Sequence, residues 1–129
     1  MKLAASSAFV FGLTILAVTP VLAHHSFEAE FDGDRKATLT GIVTKIDWTN
    51  PHAWVYFNVT DDAGAVKNFG VEMGPPYALV RGGWKRDTVK IGDKITVEGA
   101  ALAKDGSNKG GSLPTTTMIL ADGQRLTMR

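Results

Sequence analysis

The stretch ATLTGIVTKIDWTNPHAWVYFNVT, residues 37–60, decides the fold. Both halves are rich in β-branched and aromatic residues, and Thr49-Asn50-Pro51 separates them, which is the composition of two strands joined by a turn. In the second half Val55, Phe57 and Val59 fall on one parity, and Trp54, Tyr56 and Asn58 on the other. The first set faces a core and the second faces outward. The first half changes phase near Gly41, because Leu39 has one parity whereas Ile42, Ile46 and Trp48 have the other. A glycine at such a break predicts a bulge or tight coil, the device that bends a sheet back on itself.

Downstream, Asp61-Asp62-Ala63-Gly64 predicts a hairpin into a third strand over 66–73, with Phe69, Val71 and Met73 inward and Asn68 and Glu72 outward. Segment 74–84, GPPYALVRGGW, opens on prolines and closes on paired glycines, so it predicts one short helix. A turn at 90–93 leads to a fourth strand over 94–101, with Ile95 and Val97 inward. The polar, glycine-rich KDGSNKGGS at 104–112 predicts a mobile loop, 115–120 a fifth strand, and the Asp122-Gly123 turn admits a short last one. Three meandering strands, one helix and two further strands are the order of a five-stranded OB-fold-like Greek-key barrel. The expected class is therefore all-β with one short helix; a small β-sandwich is the alternative.

Upstream, residues 1–23 carry one charge, Lys2, an apolar run over 8–18, and small residues Val21 and Ala23 spaced as at a cleavage site. This is the pattern of a signal peptide cut after Ala23, too short in its apolar run to be read as a membrane span. The expected product is a soluble periplasmic protein without membrane insertion, divided into signal peptide 1–23, a linker-like arm 24–36 and one domain 37–129. Losing Lys2 brings Lys plus Arg from 14 to 13, against 13 Asp plus Glu, so the exported chain is formally neutral. Neutrality argues against nucleic acid, whose binding needs clustered cations. The absence of cysteine excludes disulfides, metal thiolates, thiol nucleophiles and a lipid-modified cysteine.

Several stretches together resemble the DUF6152 family of small exported bacterial proteins: HHSF (24–27) with Glu30-Phe31-Asp32 nearby, TLTGIVTKIDWTNPHAWVYFNV (38–59), GGWKRDTVKIGDKITVEG (82–99) and AKDGSN (103–108). The resemblance spans nearly all of the chain after the export segment and implies a small secreted β-barrel, but no activity. One departure is the proline pair in EMGPPYALVRGGW.

Two constellations carry candidate chemistry. In an OB-like barrel the first loop and the outer face of strands two and three form the ligand surface. Trp48, Asn50, Pro51 and His52 then make the loop, and Trp54, Tyr56, Asn58, Asn68 and Glu72 pave the face, where aromatics stack on a ligand and polar groups orient it. The competing reading has Trp54 and Tyr56 packed beneath an arm carrying Phe27 and Phe31. The other constellation is His24, His25 and His52. Cleavage after Ala23 gives His24 a free α-amine, which with its imidazole and a nitrogen from His25 or His52 forms a brace-like set suited to copper(II).

Lys85 and Arg86 after Gly82-Gly83 read as a capped helix end. Glu28, Glu30, Asp32 and Asp34 read as a solvated arm. Without a nucleophile, base and orienting group in one motif, no catalytic residue is assigned, and the chain reads as a non-catalytic binding or accessory protein for a small molecule or a periplasmic protein partner.

Overall fold

The computed structural model describes residues 21–129. Helix α1 (Val21–Glu30) runs directly into a long strand β1 (Phe31–Asp47), followed by β2 (Trp54–Thr60), β3 (Val66–Glu72), helix α2 (Pro76–Arg81) and β4 (Lys94–Ala103). Three short strands complete the chain: β5 (Lys109–Gly111), β6 (Thr117–Ile119) and β7 (Arg125–Thr127). The fold is mostly β, with seven strands in one sheet. Five of them form a ring: β1 pairs with β2, β2 with β3, β3 in parallel with β5, β5 with β4, and β4 again with β1. The β6–β7 hairpin extends from β4 outside that ring.

The strand that closes the ring is Lys109–Gly111, inside the segment expected to be a mobile loop, while the expected fifth strand over 115–120 becomes β6. Residues expected to form a linker-like arm are instead the end of α1 and the start of β1, where Phe31, Asp32 and Lys36 pair with Ala103, Leu102 and Ala101. Register along this edge slips between Asp32 and Lys36, so residues 33–35 leave the ladder.

The phase break also moves. Leu39, Gly41 and Val43 share the inward face, Ile42 is 45% exposed, and the slip against β2 falls between Val43 and Lys45. Gly41 serves another purpose, since a Cβ there would lie 2.1 Å from the backbone oxygen of Asn58. The glycine permits the close crossing of β1 and β2, and Thr44 is the additional residue that re-phases the strand.

Most inward positions behave as their parity demands. Val55, Phe57, Val71, Met73, Ile95 and Val97 are buried in one main cluster, which Leu79 and Trp84 close from the helical segment. Pro75 supplies the extended residue before α2 and Pro76 its first position. At the other end the Gly82 N–H donates to Ala78 O, Gly83 takes φ +99°, and the buried Trp84 donates its indole N–H to Thr127 O at 2.7 Å. Lys85 and Arg86 are exposed after the helix.

A smaller cluster forms where α1 meets the ring. Phe31, Ala101 and Ala103 are buried there, with Phe27, Trp54 and Leu113 packed against them.

Candidate functional site: the cleft between α1 and the Pro51–His52 turn

The turn between β1 and β2 contains a cis peptide bond between Asn50 and Pro51. Asn50 and Pro51 are exposed, while Ala53 is completely buried. The chain therefore anchors at Ala53, whose N–H donates to Gly74 O, and leaves His52 half-buried at the edge of the ring. Across the β2–β3 ladder Trp54 faces Glu72. This register brings the Glu72 carboxylate to His52: Nδ1 and Oε1 are 2.5 Å apart, with side-chain exposures of 26% and 14%.

An ionised carboxylate only accepts, so Nδ1 carries the hydrogen of this contact; the carboxylate fixes the ring and leaves Nε2 outside the pair. Beside the pair lies a cleft of 260 Å³, lined by His52, Glu72, Pro51 and, from α1, Ser26, Phe27 and Glu30. Among the described residues the lining carries two carboxylates, a hydroxyl and an imidazole, and no lysine or arginine. It is a surface of hydrogen-bond acceptors and of negative charge, suited to a ligand that brings donors or a cation.

The helix that walls this cleft is held by identifiable contacts. The Lys104 ammonium donates to Glu28 O at 2.5 Å, and the Lys104 backbone N–H donates to Glu30 O at 2.9 Å, which satisfies two carbonyls at the carboxyl end of α1. Phe27 and Phe31 lie 5.0 Å apart between ring centroids and rest on Gly111, where a Cβ would come within 2.5 Å of one ring and 2.6 Å of the other. The Arg129 guanidinium sits 5.0 Å above the Phe27 ring.

The sequence-predicted ligand face is only partly assembled as a face. Trp48 is half-buried and packs against the main core, away from the role of a loop aromatic. Trp54 packs on the Phe27–Phe31 cluster, as the competing reading anticipates. Tyr56 stacks on Trp54 at 6.1 Å and 17°, with the Lys45 ammonium 5.3 Å from its ring, and both aromatics lie over Gly70. Asn58 and Asn68 are engaged with each other, since the Asn68 amide donates to Asn58 Oδ1 at 3.0 Å and to Thr44 Oγ1 at 2.9 Å. That ladder braces the bulge and uses polar groups that the sequence offers as candidates for a ligand.

Of the metal candidates, the His52 ring is placed as above, whereas the side chains of His24 and His25 lie outside the described residues, as do residues 1–20 of the expected signal peptide 1–23. The expected cleavage point after Ala23 falls within α1. Among the described residues, no three His, Asp or Glu side chains gather as a metal site. Sequence reasoning names both His52 and Glu72 but not their pairing, and it misses Ser26, Phe27 and Glu30 as cleft residues. Their contribution depends on the helix turning back over the ring, for which HHSFEAEF offers only a weak amphipathic signal.

The comparison with protein families matches residues 13–112 to DUF6152, a family of unknown function. The chain belongs to the DUF6152 family. No curated protein and no solved structure matches it.

Proposed function

We propose that this DUF6152 protein is an exported, periplasmic, non-catalytic binding protein that holds a small ligand in the cleft between α1 and the Pro51–His52 turn. The observation that carries the reading is the imidazole locked by Glu72 at the wall of a cleft rich in acceptors. A pre-oriented polar group beside an aromatic wall, here Phe27, is the usual construction of a small-molecule site. The fitting ligand bears amine or hydroxyl donors. Asn50, exposed in the same turn, extends the surface, and Trp54, packed with Phe27 and stacked on Tyr56, supports it from beneath.

Native mass spectrometry of protein isolated from the periplasm tests this. The wild type is expected to retain a small-molecule adduct that His52→Ala loses, and 2-aminoethanol, as a donor-bearing probe, is expected to shift the His52 Nε2 resonance. Adduct-free protein together with an unmoved resonance rejects the reading.

One observation favours a second reading, copper binding at the new amino terminus. Ser26 lines the cleft with His52, and it lies two residues after His24. The donor set fits copper(II): the terminal amine and imidazole of His24, with a nitrogen from His25 or His52. A carboxylate on the far nitrogen of the ring is the common second partner of a metal-bound histidine, and Glu72 holds that position on His52. Copper(II) is titrated into chains beginning at His24 and chains with one residue before it. Nitrogen-rich, one-to-one binding confined to the first form supports the brace; equal weak binding in both retires it.

A further inference from the structure

Phe27 has a second face, and a larger cavity of 460 Å³ opens on that side, away from His52 and Glu72. Its walls are apolar, formed by Phe27, Phe31 and Leu113, and charged groups of both signs stand on its lining: the Arg129 guanidinium and the Glu28 and Asp34 carboxylates. The volume is that of an ordinary small-molecule site.

Arg129 is positioned before any ligand arrives. Its Nη1 donates to Ser112 O at 2.8 Å and its guanidinium lies over Phe27, yet it forms no ion pair among the described residues. Glu28 and Asp34 line the same space and are likewise outside the ion pairs of the described residues. The Asp34 position comes from the excursion at residues 33–35, where β1 leaves its ladder with β4 and the Asp34 N–H turns back to Asp32 Oδ1 at 3.0 Å. A bulge that re-aims a side chain beside a cavity is a recurrent feature of binding sites.

A guanidinium with open donors, two carboxylates and an apolar wall make a three-part complement. Guanidinium binds carboxylate in a forked pair, carboxylates bind ammonium, and the phenyl rings cover an aliphatic or aromatic side chain. A simple anion meets two carboxylates here, and a simple apolar molecule leaves three charged groups without partners. We propose that this cavity is a binding site for a zwitterionic α-amino acid with an apolar side chain, its carboxylate on Arg129, its ammonium toward Glu28 and Asp34, and its side chain against Phe31 and Leu113. The site is distinct from the His52 cleft and stands or falls separately from it.

Calorimetric titration of the wild-type protein with L-leucine and L-phenylalanine, and with L-leucinamide and N-acetyl-L-leucine, tests the assignment. Either free amino acid is expected to bind, with each blocked analogue weaker by about tenfold or more, the size of a lost charge-assisted hydrogen bond. Arg129→Gln is expected to weaken leucine by a similar factor and to leave the affinity for leucinamide, which has no carboxylate to lose, unaltered. Should that variant misfold, as judged by circular dichroism, the analogue series in the wild type decides alone. No binding of either amino acid up to about 10 mM, a concentration corresponding to negligible affinity, overturns the proposal. Equal binding of leucine and both blocked analogues overturns it too, because the cavity then recognises only apolar bulk.

Discussion

Two glycines show how strongly single positions control this architecture, and their substitution separates rigid from yielding neighbours. At Gly41 the atom in the way is the Asn58 backbone oxygen, at 2.1 Å, at the end of the β1–β2 ladder, where the neighbouring Ile42 pairs with Asn58. At Gly111 the obstacles are side-chain rings and not backbone: Phe27 is half-buried and can swing outward, while the buried Phe31 has to shift within its cluster. Gly111→Ala is therefore expected to cost about 1–3 kcal/mol as an overpacking change, with loss of α1 docking visible as new exchange of amides in residues 26–30. Gly41→Ala is expected to exceed about 3 kcal/mol, because the obstacle is backbone and Gly41 also pairs with Ile95, so relieving the clash disturbs the ladders of β1 with both β2 and β4. Urea midpoints rank the two; a smaller loss at Gly41 contradicts the crossing argument. The change of phase around Gly41 marks the position in the sequence but assigns it the wrong cause. Pattern reveals that a strand changes face, not which neighbour approaches its backbone.

At the scale of elements, β2 and the first part of β4 are legible in the sequence because buried positions alternate with more exposed ones, which writes a period of two into the chain, and β3 follows from the hairpin turn that joins it to β2. The closing strand β5 is not legible: Lys-Gly-Gly has no side-chain alternation, and its identity resides in backbone pairing with β3 and β4. Gly110 and Gly111 are both buried under neighbouring groups, so the strand is defined by what packs on it. The same limit applies to the site. His52 is identifiable as an unusual residue in a turn, but its partner depends on the register that sets Trp54 against Glu72, and its cleft depends on α1. Trp54 sits where the two elements meet. Trp54→Ala is expected to cost about 2 kcal/mol, less than the roughly 3–5 typical of a fully buried large aromatic because the indole is only partly covered. Tyr56→Ala is expected to cost about 1 kcal/mol or less, since it stacks on Trp54 at the outer surface. Chemical denaturation measures both, and a Tyr56 loss larger than that of Trp54 would show that the second cluster is not the main support of α1.

For the whole molecule, the ring of five strands does not enclose its own core without help. Met118 and Met128 are completely buried and Leu126 nearly so, although all three lie on or beside the β6–β7 hairpin, outside the ring. They join the cluster that includes Val55, Phe57 and Val97 from the ring and Leu79 and Trp84 from the helical segment. Backbone contacts tie the same parts together: the Gly74 N–H donates to Met128 O at 2.8 Å, and the Met128 N–H to Thr116 O at 3.1 Å. The hairpin therefore closes one end of the apolar interior, and the molecule is expected to unfold as one unit. Met128→Ala should cost about 2–5 kcal/mol, whereas Ile91→Ala, at a side chain 73% exposed, should stay within about 0.5 kcal/mol. Native-state hydrogen exchange provides the sharper measurement. The Met128 and Gly74 amides, which depend on the hairpin, should open at the same free energy as the Met73 amide, which bonds Ala53 O between β2 and β3. If Met128 and Gly74 exchange at a much lower free energy, the hairpin is a separable appendage and the ring sustains its interior alone.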